Sequence, residues 1–96
     1  MFIIELTYVK PLEEVGKYME EHKKFLEENY EEGIFIVSGP MVPRVGGTII
    51  ASLDSKEELE KIVNKDPFII NKVSSYKITE FLAAVTGEGL ESLRES

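Results

Sequence analysis

The order in which strand and helix patterns follow one another constrains the fold of this 96-residue chain more than any other feature. Residues 2–9 are rich in β-branched and aromatic side chains, which predicts a largely buried first strand. Residues 34–37 form a continuous apolar run, residues 48–53 follow a pair of glycines, and residues 76–83 again have a strand pattern. Four strands are therefore expected, with the second and third forming a hairpin.

Two helices are expected between these strands. Apolar side chains recur every three or four positions over residues 11–30, which predicts an amphipathic helix with His22 on its apolar side. Ser55 is followed three residues later by Glu58, and this capping-box signature predicts the start of a second helix. That helix must end before Pro67, because the residue that precedes a proline is disfavoured in helical geometry.

The order strand, helix, strand, strand, helix, strand is typical of the α+β, ferredoxin-like βαββαβ fold. In this fold both helices cover one face of a four-stranded antiparallel sheet. The predicted strands carry apolar residues on both faces, so we expect the second face to be covered by pairing in a homodimer or a higher even-numbered oligomer. Residues 1–86 are expected to form one domain and residues 87–96 a C-terminal tail.

Composition narrows the classes of function. The 18 acidic and 11 basic residues give a formal net charge of −7, which argues against nucleic acid or an anionic membrane surface as a partner. The absence of cysteine excludes disulfides, thiolate metal sites and a cysteine nucleophile, and it fits a cytoplasmic protein. Glutamate and lysine are abundant while glutamine is absent, a bias that occurs in thermophile proteins.

Two residues are candidates for catalysis. His22 is the only histidine, and imidazole is the side chain best suited to proton transfer near neutral pH. A metal site would lack its usual additional ligands, so no metal and no cofactor are expected. Asp66 can orient the imidazole by accepting a hydrogen bond from one ring nitrogen. The alternative is structural: a histidine within a helix stripe and an aspartate that caps a turn before Pro67.

Four short motifs, in this order along the chain, resemble the YciI-like (YCII-related) family. They are His22 within the segment EEHKKFL, Ser38-Gly39-Pro40 at the end of the second strand, the glycines before the third strand, and Asp66-Pro67-Phe68 after the second helix. The resemblance implies a dimeric α+β barrel fold and a His22–Asp66 pair in a cleft between helix and sheet. The loop between Pro40 and Gly46 is shorter than in many members.

Five further residues are candidates for contact with a substrate. Ser38 can donate a hydrogen bond to a substrate oxygen, or it can simply be a polar residue in the wall, and Gly39 and Pro40 can shape that wall. Arg44 can pair with a carboxylate through two N–H donors, although a solvated surface arginine is the alternative. Phe68 can flank a small cyclic ligand, or it can belong to the core.

Three hypotheses of function follow. The first is a cofactor-free enzyme that moves a proton on a small carboxylated or cyclic molecule, with His22 as acid or base and Asp66 as its orienter. Isomerisation and elimination are the natural reactions, and a dehydrochlorinase is among the family members with an assigned activity. The second is a non-catalytic ligand-binding or regulatory module that uses the same cleft. The third is an assembly domain whose cleft is empty.

Overall fold

The architecture is taken from a computed structural model that describes residues 1–95; Ser96, the last residue of the expected tail, lies outside the described residues. The chain forms a single sheet with helices packed on one of its faces. The elements follow in the order β1 (Phe2–Tyr8), α1 (Leu12–Gly16), α2 (Met19–Glu31), β2 (Phe35–Pro40), β3 (Gly46–Ala51), α3 (Lys56–Val63), α4 (Pro67–Ile70), β4 (Ser74–Glu80) and a 3₁₀ turn at Glu91–Leu93.

The sheet has the strand order β2-β3-β1-β4, and every neighbouring pair is antiparallel. This is the predicted α+β, ferredoxin-like arrangement, and the fold prediction is confirmed. Alternation along the strands sets the buried face: Phe2, Ile4 and Leu6 of β1 are buried, while Glu5 and Thr7 are exposed. The helices therefore pack against the face that these three apolar side chains share.

The core forms where α2 and α3 lie on that face. Phe25 comes from α2, and Leu59 and Val63 come from α3; all three pack in one cluster with the apolar side chains of β1 and β3. The start of α3 has the predicted cap, in which the N–H of Glu58 donates to the hydroxyl of Ser55 at 3.3 Å. The Ser55 cap thus fixes the start of α3, and the burial of Leu59 and Val63 holds the helix against the sheet.

The predicted first helix is in fact two helices, so the prediction of one continuous helix over residues 11–30 is wrong. α1 ends at Gly16, a weak helix former, and the N–H groups of Lys17 and Tyr18 bond to carbonyls three residues back instead of four. This tighter turn reorients the chain before α2 begins. Leu12, which the single-helix pattern placed on the apolar stripe, is consequently more than half exposed.

The second strand extends beyond the apolar run of residues 34–37, because β2 continues through Pro40. β2 is an edge strand, where a residue without an N–H is tolerated on the side that faces solvent. A bulge between Phe35 and Val37 shifts its register against β3. The result brings residues 38–40 alongside the first half of β3.

The face of the sheet opposite the helices has an apolar centre with charged neighbours. Ile3 and Ile50 are half-buried there, and Val37 is 56% exposed. Glu5 of β1 lies directly opposite Lys77 of β4. The face is therefore more polar than the strand patterns suggested, since only its middle is apolar.

The described part of the tail is tied back to the domain. The carboxylate of Glu95 lies 2.7 Å from the α-amino group of Met1 and accepts a hydrogen bond of 2.8 Å from the N–H of Ala83. These hydrogen bonds, the one to the α-amino group first, lower the pKa of the Glu95 carboxyl. Within residues 1–95, no helix is both long and apolar enough to cross a membrane.

Candidate active site

His22 and Asp66, separated by 44 positions in the sequence, meet at the junction of α2 and α4. Nδ1 of His22 lies 2.8 Å from Oδ1 of Asp66. The imidazole is 11% exposed and the carboxylate only 1%, so the contact is shielded from solvent. A shielded contact of this length is a strong hydrogen bond, because water does not compete for either partner.

Asp66 is held in place by the local structure that it caps. It is the N-cap of α4, and Pro67 occupies the first position of that helix, where a missing N–H has no consequence. Oδ1 accepts a 2.9 Å hydrogen bond from the N–H of Phe68 as well as the contact with His22. Within residues 1–95, Oδ2 is buried and makes no hydrogen bond. One carboxylate oxygen thus fixes both the turn and the imidazole.

The aromatic ring of Phe68 fixes the plane of the imidazole. The two rings are nearly parallel, with an angle of 8° between their planes and 4.0 Å between their centroids. Phe25 approaches the imidazole from a greater distance, 6.3 Å between centroids. Since the backbone of Phe68 also donates to Asp66, this residue sets both the position of the carboxylate and the orientation of the ring.

The hydrogen bond with Asp66 determines which imidazole nitrogen is available for chemistry. When the carboxylate of Asp66 is ionised it only accepts, so Nδ1 of a neutral His22 ring then carries the proton and Nε2 carries the lone pair. Nε2 makes no hydrogen bond with any described residue, and it is not sealed from solvent as Oδ2 of Asp66 is. A basic nitrogen with a fixed direction is therefore accessible.

A cavity of about 220 Å³ lies between α2 and the sheet, with His22 in its wall. The candidate residues from the sequence converge on it, although they come from four different parts of the chain. His22, Ser38, Gly39, Pro40, Arg44 and Phe68 all line the cavity, and Asp66 lies behind His22. Ser38 has a further contact, because its hydroxyl hydrogen-bonds the hydroxyl of Tyr30.

Sequence reasoning missed several residues of this cavity. Leu6 and Ile49 form part of its wall from the sheet, and Leu26 does so from α2. Lys23, the residue after the only histidine, also lies at the cavity. Its position next to His22 was the one available signal, but an exposed lysine on a helix ordinarily indicates a solvated surface.

The cavity offers groups for proton transfer and for binding, but the described residues offer no metal centre. Within residues 1–95, no group of three histidine or carboxylate side chains is arranged to hold a metal ion. The polar groups present are the imidazole of His22, the cationic side chains of two residues and the hydroxyl-bearing side chains of three: Lys23, Arg44, Tyr8, Ser38 and Thr48. Such a set can remove or deliver a proton and can hold an anion.

Comparison with known proteins identifies the family. The family model described as the YCII-related domain matches residues 1–82. The chain belongs to the YCII-related family. No curated protein sequence matches this YCII-related chain.

A solved structure shares the fold of this YCII-related protein. It is the 5-chloro-2-hydroxyhydroquinone dehydrochlorinase from Burkholderia phenoliruptrix AC1100, in complex with 2,5-dihydroxybenzoquinone. The two proteins superpose with a TM-score of 0.70 and share 18% of their residues, over 84% of this chain and 93% of the dehydrochlorinase. At this identity the likeness establishes the common fold.

Proposed function

We propose that this YCII-related protein is a cofactor-independent enzyme that moves a proton on a small organic molecule bound in the cavity. His22 is the acid or base, and Asp66 orients it. The observation that carries the proposal is the 2.8 Å contact between Nδ1 of His22 and Asp66, formed behind the wall of a cavity. Isomerisation and elimination are the reaction classes that need only such a pair.

In the proposed step, Nε2 of His22 accepts a proton from an acidic carbon or hydroxyl of the ligand. The electron pair left behind moves into the ligand. In an isomerisation the proton returns at another atom, whereas in an elimination a leaving group departs with an electron pair. The resulting imidazolium faces the carboxylate of Asp66, which stabilises the positive charge without itself taking the proton.

Two observations support a small cyclic molecule as the ligand: the size of the cavity and the similarity of the fold to that of the Burkholderia dehydrochlorinase. A cavity of about 220 Å³ suits a compound with one ring, since pockets for larger ligands span roughly 300–1,000 Å³. The name of the Burkholderia enzyme describes removal of hydrogen chloride from a hydroxylated ring, which makes elimination the first reaction to test. A non-catalytic binding module is the second candidate, because the N-cap role of Asp66 also gives the pair a structural purpose.

Replacing His22 by asparagine tests the catalytic role. Asparagine retains an amide donor near the position of Nδ1, so Asp66 keeps a partner, while the nitrogen at the cavity is removed. We expect turnover to fall about 100-fold or more, the lower end of what a general acid or base contributes. The measurement is chloride release from 5-chloro-2-hydroxyhydroquinone, together with proton NMR of deuterium exchange into a panel of cyclic carbon acids.

The control for this experiment is Glu27→Gln, an exposed substitution on the same helix. It should leave turnover and melting temperature unchanged. If His22→Asn retains the activity of the wild type, the catalytic role of His22 is wrong. If the wild type binds members of the panel and turns over none of them, the binding-module hypothesis replaces the enzyme.

We also propose that the protein is a homodimer formed through the open face of the sheet. The support is the apolar centre of that face, made by Ile3, Val37 and Ile50, and the presence there of both Glu5 and Lys77. A face with both signs of charge is compatible with two-fold pairing of identical surfaces. Stable interfaces bury on the order of 1,600 Å² in total, which one sheet face from each copy can supply.

Light scattering after size exclusion measures the oligomeric state. The wild type is expected at twice the chain mass of 10.9 kDa. Val37→Lys places a charge in the apolar centre and should shift the mass toward that of one chain, whereas Lys10→Gln, at an exposed position after β1, should not. A wild-type mass of one chain at micromolar concentration contradicts the dimer.

A further inference from the structure

The charge of the cavity is opposite to the charge of the protein. The chain has 18 acidic and 11 basic residues, yet none of the described side chains that line the cavity is acidic. Asp66 is close by, but it is fully buried and contacts Nδ1, on the side of His22 away from the available nitrogen. The cationic side chains Lys23 and Arg44 are part of the lining. An acidic protein has thus formed a cavity whose only full charges are positive.

Neither cation is neutralised by the protein. Lys23 and Arg44 form no salt bridge with any described residue; the described lysines that do are Lys17, with Glu14, and Lys61, with Glu58. Lys23 belongs to α2 and Arg44 to the loop between β2 and β3, so the two charges approach the cavity from different elements. Both residues are exposed, which places them at the rim. Two positive charges from different elements thus line one cavity.

The interior of the cavity has a different character. Leu6, Leu26 and Ile49 contribute apolar side chains, and the ring of Phe68 lies beside the imidazole. Gly47 lines the same cavity, and a Cβ atom added there would meet no atom closer than 3.4 Å, so the absence of a side chain leaves space. The cavity therefore combines an apolar interior with a cationic rim.

We infer that this cavity takes a small cyclic organic carboxylate, with its ring against the apolar interior and its carboxylate at Lys23 and Arg44. The planar guanidinium of Arg44 matches the geometry of a carboxylate, and Lys23 adds a second donor with a point charge. The inference rests on the proposed function only in that the ring of this ligand presents its acidic proton to Nε2 of His22. It adds the substrate class and a binding role for Lys23.

Benzoate and benzamide form the first test, because they have the same ring and differ in charge. Binding is followed by NMR titration of the backbone amides at low and at physiological salt. We expect benzoate to bind about ten-fold more tightly than benzamide at low salt, and we expect the difference to shrink as salt screens the charges. Inorganic phosphate serves as a competitor, since it carries charge without a ring, and it should displace benzoate poorly.

Variants that each remove one positive charge test whether the cationic rim causes the preference for benzoate over benzamide. Lys23→Gln and Arg44→Gln should each weaken benzoate binding about two- to five-fold and leave benzamide unchanged, which is the range for exposed ion pairs. Lys24→Gln is the matched control, because Lys24 is the next residue of α2 but lies in a separate groove with Glu21 and Glu28. All three residues are exposed, so the variants should have the same melting temperature as the wild type.

The outcomes separate this inference from the proposed function. His22→Asn should retain the preference for benzoate while it loses turnover, because the rim is intact. Equal affinity for benzoate and benzamide, no binding of benzoate at low salt, efficient displacement by phosphate, or an equal effect of Lys23→Gln and Lys24→Gln would each overturn the carboxylate inference. A preserved preference for benzoate without turnover of any carbon acid would leave the inference standing and remove only the catalytic proposal.

Discussion

Replacing Gly46 by alanine is expected to destabilise the protein by about 3 kcal/mol or more, at the upper end of the cost of overpacking. Gly46 begins β3 and pairs with Thr7 of β1. A Cβ atom at this position would lie 1.8 Å from the carbonyl oxygen of Leu6 and 2.9 Å from its carbonyl carbon. Both are backbone atoms of a central strand, so no side chain can rotate away to make room. The β1–β3 ladder must separate locally or the variant must fail to fold.

Gly39→Ala is the matched control for this prediction. Gly39 lies in the neighbouring strand β2, its φ is not positive, and an added Cβ would meet no heavy atom within 4 Å. Its free energy of unfolding should change by less than about 1 kcal/mol, because alanine fits at this position without strain. Urea unfolding followed by circular dichroism compares the two variants. Equal midpoints for both would contradict the close approach at Gly46.

The same glycine shows why the sequence predicts elements better than their contacts. The pair Gly46-Gly47 stood before the predicted third strand at residues 48–53, and β3 in fact includes both glycines. The pattern did not indicate that β1 passes so close that no side chain fits, because that distance depends on pairing between distant strands. The break between α1 and α2 was missed for a related reason. The apolar spacing continues through Gly16, while the hydrogen bonds change after it.

The site could be predicted in its parts but not in its geometry. His22 lay on the apolar side of a predicted helix, and Asp66 stood before a proline at a predicted corner. Local rules explain each position, whereas the contact between them requires α4 to pack against α2. The resemblance to the YCII-related family supplied the pairing as an expectation. Lys23 had no comparable signal, since its role depends on which residues surround a cavity formed by the whole fold.

Replacing Asp66 by alanine should have the second large effect on stability, about 3 kcal/mol. The loss of an N-cap costs about 1 kcal/mol, and a buried donor without a partner adds roughly 1–3 kcal/mol. Two donors lose their acceptor here, the N–H of Phe68 and Nδ1 of His22. Asp66→Asn retains a carbonyl oxygen that can accept from both, so it should be less destabilising and lose mainly the negative charge.

A double-mutant cycle measures how much of this loss belongs to the contact with His22. Asp66→Ala, His22→Gln and the double variant are compared by urea unfolding. The two side chains are in buried contact. We therefore expect the losses of unfolding free energy in the two single variants to sum to at least about 1 kcal/mol more than the loss in the double variant. Asp66→Ala and the double variant both lose the N-cap of α4, so the contribution of this cap cancels in the cycle. Additive effects would mean that Asp66 acts on the turn alone, and orientation of the imidazole would then depend on Phe68.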